Sequence, residues 1–247
     1  MSMEETQNQN AGQMENGAKI EPVIRKDRQL KYTGNILKIY EDTVIANGHE
    51  AHWDYIHHDG AAAVVAVADD GKLLMVRQYR NALNRETLEI PAGKLDAPDE
   101  PKIECAYREL EEETGVKDLP LEQFAVYGDY DRDPRTRVIT TAYLSLVNEQ
   151  DITVRAGDDA ADAAWCSLCL KEKEVHTGEV SRKVWQLHVS NEEKGLDTRA
   201  EVEETCREGL IRERKFQVLT GEEIAVDHAA IIVQAMCILA DRLLEKR

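Results

Sequence analysis

The chemistry in this chain is concentrated in Arg108-Glu109-Leu110-Glu111-Glu112-Glu113-Thr114-Gly115-Val116, with Glu100 eight residues before the arginine. Like charges three and four positions apart repel on a helix, by roughly 0.2–0.5 kcal/mol per exposed pair. Glu109, Glu112 and Glu113 share one face at 3.6 residues per turn, while Glu111 points elsewhere. The bland explanation is a solvated, charge-rich surface. The chemical one is a divalent cation held in front of the cluster. Mg²⁺ takes hard oxygen ligands, needs only one to three carboxylates, and leaves positions for water and substrate phosphates. Arg108 lies four residues before Glu112 and can pair with it and orient it.

The wider spacing favours the cation. Gly93-x6-Glu100-x7-Arg108-Glu109-Leu110-x-Glu112-Glu113-x-Gly115-Val116 resembles the Nudix box, G-x5-E-x7-R-E-U-x-E-E-x-G-U with U aliphatic. Everything from Glu100 onward fits. One extra residue lies in the loop after Gly93, where insertions are tolerated cheaply.

Residues outside the box narrow the resemblance. Arg77-Gln78-Tyr79-Arg80, then Thr87-Leu88-Glu89-Ile90-Pro91-Ala92-Gly93, looks like the ADP-ribose pyrophosphatase branch of the Nudix hydrolases. That likeness implies substrate contacts from Arg80 and Glu89. It also implies that the Ala92 carbonyl joins Glu109, Glu112 and Glu113 on Mg²⁺, with Mn²⁺ as a substitute. Arg77 joins the substrate-binding candidates, since guanidinium forks suit phosphate, and Gly93 joins them with the Glu89–Gly93 stretch. The segment 131–137, Asp-Arg-Asp-Pro-Arg-Thr-Arg, resembles the G-R-D-P-R-G-R loop of Nudix proteins acting on NAD-related nucleotides. Asp131 and Thr136 stand where that loop has glycine, and Arg135 is its substrate-binding candidate. Residues 157–163 also resemble that group and imply a carboxylate-bearing loop that assists catalysis. Glu112, Asp158, Asp159 and Asp162 stay open as general base, since a base must lie within hydrogen-bond reach of the water. The catalytic candidates are thus Glu112, Arg108 and Asp159.

The activity so implied is Mg²⁺-dependent hydrolysis of the pyrophosphate of ADP-ribose, or of a related nucleoside diphosphate sugar, to AMP and a sugar phosphate. A Nudix hydrolase of another nucleotide, or a module that binds ADP-ribose without cutting it, are the alternatives. The branch also implies a homodimer paired through N-terminal strands, here 35–57.

These residues need elements to position them. An α/β Nudix fold is expected: an α/β/α sandwich on a mixed sheet, with an N-terminal β extension and a C-terminal helical one. Residues 1–18 have no Val, Ile, Leu or aromatic side chain and read as a disordered tail. Residues 19–57 form the β region, with strand-like pieces at 35–40, 43–46 and 51–57 and an Asn47-Gly48 hairpin turn. The core spans 58–170. It holds strands at 61–68, 72–79, 121–130 and 138–147, and a helix from Pro101 to Glu113 stopped at Gly115. Within 171–247, residues 179–193 and 200–214 read as charged amphipathic helices. Residues 226–244 read as an apolar helix opened by Asp227-His228, where His228 is assigned a structural role.

The whole chain sets outer bounds. With 247 residues and a net charge of −17, it repels nucleic-acid backbones and anionic lipid. No apolar run reaches the roughly 18–20 residues needed to cross a bilayer. Five cysteines, an odd number without a secretion signal, point to a reducing cytoplasm. Cys166 and Cys169 have C-x2-C spacing but no second ligand pair, so they read as ordinary thiols.

Overall fold

A computed structural model describes residues 22–34, 37–130, 132, 138–157, 160–176, 178, 180–210 and 212–245. The expected tail, 1–18, lies outside them. The chain divides between His57 and His58 into two compact units.

The first unit is an antiparallel sheet of β1 (Ile24–Thr33), β2 (Lys38–Ala46) and β3 (His49–His57), in that order. Asn47 and Gly48 take φ of 51° and 76°, the left-handed pair that a two-residue hairpin turn requires. Of the pieces expected at 35–40 and 43–46, residues 38–40 and 43–46 are parts of β2 and residues 35 and 36 lie outside the described residues; β1 is a strand the sequence pattern did not announce. Arg28 forks onto Asp42 across the strands and stacks 3.8 Å from the Tyr55 ring.

The second unit is built on one mixed sheet. Its strands are β4 (Ala61–Ala68), β5 (Leu73–Arg80), β6 (Arg85–Glu89), β7 (Ala92–Lys94), β8 (Glu122–Tyr127), β9 (Thr140–Val147), β10 (Asp162–His176), β11 (Val180–Asn191), β12 (Leu196–Arg207) and β13 (Glu213–Gly221). The order is β13-β12-β11-β10-β5-β4-β9-β8, with β6 beside β5 and β7 beside β4. The β4–β9 pair is parallel. β4 is apolar throughout because both its faces are covered. Ala62, Val64 and Ala66 pack with Cys105, Ala106 and Leu110 of helix α1 (Lys102–Thr114). Ala63, Val65 and Val67 pack with Ile231, Ile232 and Ala235 of helix α2 (His228–Glu245). Helix, sheet and helix are therefore layered as expected. α1 ends at Gly115, whose φ of 71° suits glycine and lets its N–H reach the Glu111 carbonyl.

Among the described residues of 179–193 and 200–214, none is helical. Residues 180–191, 200–207 and 213–214 lie in β11, β12 and β13, an antiparallel meander that continues the sheet beyond β10, while 179 and 211 lie outside the described residues. The burial of β12 shows why. Leu196, Thr198, Ala200, Val202, Glu204 and Cys206 are buried at every second position, the period of a strand. Glu204 hides that alternation in the sequence, because it faces inward to meet Arg214 (2.6 Å) and Trp185 Nε1 (2.7 Å). β10 also runs straight through residue 170, where the core was expected to give way to a helical extension. Of that extension, only α2 is helical among the described residues. No described helix is long and apolar enough to cross a membrane.

Candidate active site

α1 presents its glutamates toward β7. Glu113 is buried (5% exposed), and its Oε2 accepts the N–H of Ala92 at 3.0 Å. Burial, then the neighbouring charges of Glu109 and Glu89, push its carboxyl up to about 8. Burial also raises Glu109, partly offset by Arg108. Arg108 ties the helix face together. It donates to Glu100 Oε1 (3.1 Å), Glu109 Oε1 (2.7 Å), Glu112 Oε2 (3.1 Å) and the Lys94 carbonyl (2.9 Å). Glu100 also accepts the Asp96 N–H at 2.8 Å, so it anchors the arginine within the box.

Two glycines fix how closely the backbone approaches. A Cβ on Gly93 would stand 2.0 Å from the Glu109 carboxyl, so Gly93 is the wall against which that side chain lies. A Cβ on Gly157 would fall 1.4 Å from the Glu112 carbonyl oxygen. The loop around it crosses the end of α1, with Arg155 N–H on the Thr114 carbonyl (2.9 Å) and Gly157 N–H on the Glu113 carbonyl (3.1 Å). Of the residues expected to bring a carboxylate here, Asp158 and Asp159 lie outside the described residues. Asp162 turns to Lys194 at 2.8 Å and faces Arg77 across β5.

The two arginines of β5 part company. Arg80 Nε donates to Glu89 Oε1 at 2.6 Å, and Arg80 Nη2 bonds Glu89 Oε2. Thr87 Oγ1 adds a 2.6 Å bond to Oε1. Glu89 is 2% exposed. Burial pushes its carboxyl upward, but the Arg80 fork and its other partners outweigh that and hold it below the usual range. Arg77, three residues earlier, projects from the opposite face of β5 and pairs with Glu86 at 3.6 Å. The structure therefore brings Arg80, Glu89, Ala92, Gly93, Arg108, Glu109, Glu112 and Glu113 together and leaves Arg77 out. Arg135 lies outside the described residues. Arg132 of the same loop is engaged by Asp227 at 2.7 Å through both Nε and Nη2, and by Thr140 Oγ1 at 2.9 Å.

One neighbour, given only a structural role from the sequence, lies beside the site. His228, at the start of α2, sits with Nδ1 3.8 Å from Glu89 Oε2. The only sequence signal was an Asp-His pair opening an apolar helix, and it carries no hint of the strand that the pair approaches.

Among the described residues, no three His, Cys, Asp or Glu side chains converge closely enough to hold a metal ion as they stand. The donor set still fits a hard divalent cation. It comprises the Glu109, Glu112 and Glu113 carboxylates and the Ala92 carbonyl, all oxygen. Burial disfavours charge on Glu109 and Glu113, and a cation beside them removes that penalty.

The family model of the NUDIX domain matches residues 57–182, just over half of the chain. The chain is 47% identical to the ADP-ribose pyrophosphatase of Bacillus subtilis (strain 168) over 97 residues, 39% of this chain and 52% of that protein. It is 42% identical to the methanol dehydrogenase activator of Bacillus methanolicus over 87 residues, 35% of this chain and 46% of that one. The matched stretch thus spans about half the length of these relatives. The crystal structure of a MutT/nudix family protein from Enterococcus faecalis superposes with a TM-score of 0.54 at 24% identity, a likeness of fold covering 76% of this chain and 64% of that one. The extent of the family match is decisive, and the chain belongs to the NUDIX domain family.

Proposed function

We propose that the protein hydrolyses the pyrophosphate bond of ADP-ribose, or of a closely related nucleoside diphosphate sugar, to AMP and a sugar phosphate, with Mg²⁺ as cofactor and Mn²⁺ as a substitute. The observation that carries this is the placing of three box glutamates, held by Arg108 and the Ala92 N–H, beside the Arg80–Glu89 fork. The name borne by the Bacillus subtilis relative supports the choice of substrate.

Glu109, Glu113 and the Ala92 carbonyl would hold the cation, with Glu112 alongside. A cation bound there neutralises pyrophosphate charge and lowers the pKa of a coordinated water. Arg108 keeps Glu109 and Glu112 in one orientation, so the face does not splay apart by repulsion. Gly93 lets the Glu109 carboxyl lie against the β7 backbone. Arg80 supplies the positive charge that a strongly acidic protein otherwise denies a phosphate ligand. Glu112 and Asp159 are the candidate general bases, and Arg135 a further phosphate contact.

A panel of nucleoside diphosphate derivatives, assayed for AMP and phosphate release with and without Mg²⁺, tests this. ADP-ribose should be cut fastest and only with the cation. Absence of Mg²⁺-dependent cleavage across the whole panel rules the proposal out.

The working form we propose is a cytoplasmic homodimer that binds neither nucleic acid nor membrane. The first unit supports the dimer, since its sheet exposes Leu30, Tyr32, Trp53 and Ile56. Light scattering after size exclusion should give twice the mass of the 27.9 kDa chain, and a monomer at micromolar concentration counts against pairing. Five unpaired thiols accord with a reducing compartment.

A further inference from the structure

The C-terminal part of the chain returns to the site at Ile224. Ile224 lies beside Leu88 as a parallel bridge, fixed by the Leu88 N–H on the Glu223 carbonyl (2.8 Å) and the Ala225 N–H on the Leu88 carbonyl (3.1 Å). Val226 then takes a φ of 42°, a left-handed conformation rare for a β-branched residue. Asp227 clamps Arg132, and α2 begins. His228 is thereby brought against Glu89. The residue is 9% exposed, and Nδ1 has no hydrogen-bond partner. A buried polar atom left unpaired is uncommon and calls for a reason. Here Glu89 Oε2 is 3.8 Å away and already takes Arg80 Nη2.

Nη2 belongs to both bidentate edges of the guanidinium. One edge, Nε with Nη2, lies on Glu89. The other, Nη1 with Nη2, is the edge an arriving phosphate would engage. A phosphate that draws Arg80 toward itself therefore weakens the bond at Oε2, the oxygen that His228 faces. Glu89 is buried and charged, and it needs a replacement donor at that oxygen. Closing 3.8 Å to hydrogen-bond length takes about 1 Å of movement.

We propose that His228 is a positioning residue, a standby donor that takes over Glu89 Oε2 when an anionic ligand draws Arg80 away. The identity of that ligand rests on the proposed function; the exchange between Arg80 and His228 does not. The groups facing the ring are Glu89, Asp227, Arg80 and Arg132.

The exchange is testable without substrate. In the full chain, Arg80→Ala removes the competing donor. The ¹⁵N imidazole spectrum, assigned with His228→Asn, should then show His228 Nδ1 protonated and hydrogen-bonded. The ring should also titrate about one pH unit or more above wild type, because Glu89 is no longer neutralised by Arg80. A spectrum and titration unchanged from wild type would overturn the proposal. If circular dichroism shows that Arg80→Ala does not fold, Arg80→Lys gives the same test, since an ammonium has no paired edge. A kinetic arm separates positioning from packing. His228→Phe should raise KM for ADP-ribose about tenfold with kcat little changed, the value of one hydrogen bond to a charged group. His228→Asn, which places an N–H near the Nδ1 position, should restore KM. Equal losses of kcat and Tm in both variants would overturn the proposal. If wild type cuts no ADP-ribose, the functional proposal fails, and the spectrum of the Arg80 variant still decides this one.

Discussion

Gly157→Ala should disable this protein through a single methyl group. The added Cβ would lie 1.4 Å from the Glu112 carbonyl oxygen and 2.6 Å from its carbonyl carbon, with backbone on both sides of the clash. No side chain can swing aside, so either the loop or the end of α1 must move. Moving the loop breaks its bonds to the Thr114 and Glu113 carbonyls. Moving the helix end displaces Glu112 and Glu113. Overpacking typically costs 1–3 kcal/mol, and a backbone clash belongs at or above the top of that range. For a chain of this size about 3 kcal/mol lowers Tm by roughly 6–12 °C. Turnover should fall further than stability, by about a hundredfold, because misplacing catalytic groups by about 1 Å has that effect. Differential scanning calorimetry and the hydrolysis assay check both. A variant with wild-type Tm and rate would mean that the loop does not cross the helix as described.

The sequence made α1 readable because every signal there agrees: a proline at the start, an apolar stripe, a glycine stop and a charge pattern with no other economical explanation. β4 was readable for the same reason, as an unbroken apolar run. β11 to β13 were not. Their strands carry charges on both faces, and Glu204 occupies an inward position that only Arg214 and Trp185, from neighbouring strands, make tolerable. Such cross-strand compensation is invisible along one strand. The separation of Arg77 from Arg80 was legible in principle. Three residues apart on a strand means opposite faces, a parity that the likeness of the motif obscured. Cys166 and Cys169 obey the same rule, one buried and one exposed. His228 is a different case. Its proximity to Glu89 depends on the bridge between Leu88 and Ile224, a contact across 136 positions that no local pattern encodes.

Glu113→Gln should abolish turnover while leaving the fold intact, and pH makes the reason measurable. With no metal bound, the Glu113 carboxyl has been pushed up to about 8 by burial and by Glu109 and Glu89, against about 4.5 when unfolded. Below the unfolded value both states carry the proton. Between pH 4.5 and about 8 only the folded state keeps it, so the unfolded state binds fewer protons and stability falls as pH rises. The slope contributed by this one group is at most about 1.4 kcal/mol per pH unit. Metal-free wild type should therefore lose Tm steadily from pH 5 to 8. Glutamine is isosteric with the protonated acid and keeps an oxygen for the Ala92 N–H, so the variant should lose that slope and match or exceed wild type at pH 8. Mg²⁺ should distinguish the two proteins. It should raise the Tm of wild type most at high pH, where the carboxylate it needs is ionised, and leave the variant nearly unmoved. Were the variant to keep near-wild-type hydrolysis and the same Mg²⁺ shift, Glu113 would be a buried acid with no part in metal binding, and the assignment of the whole helix face would fall with it.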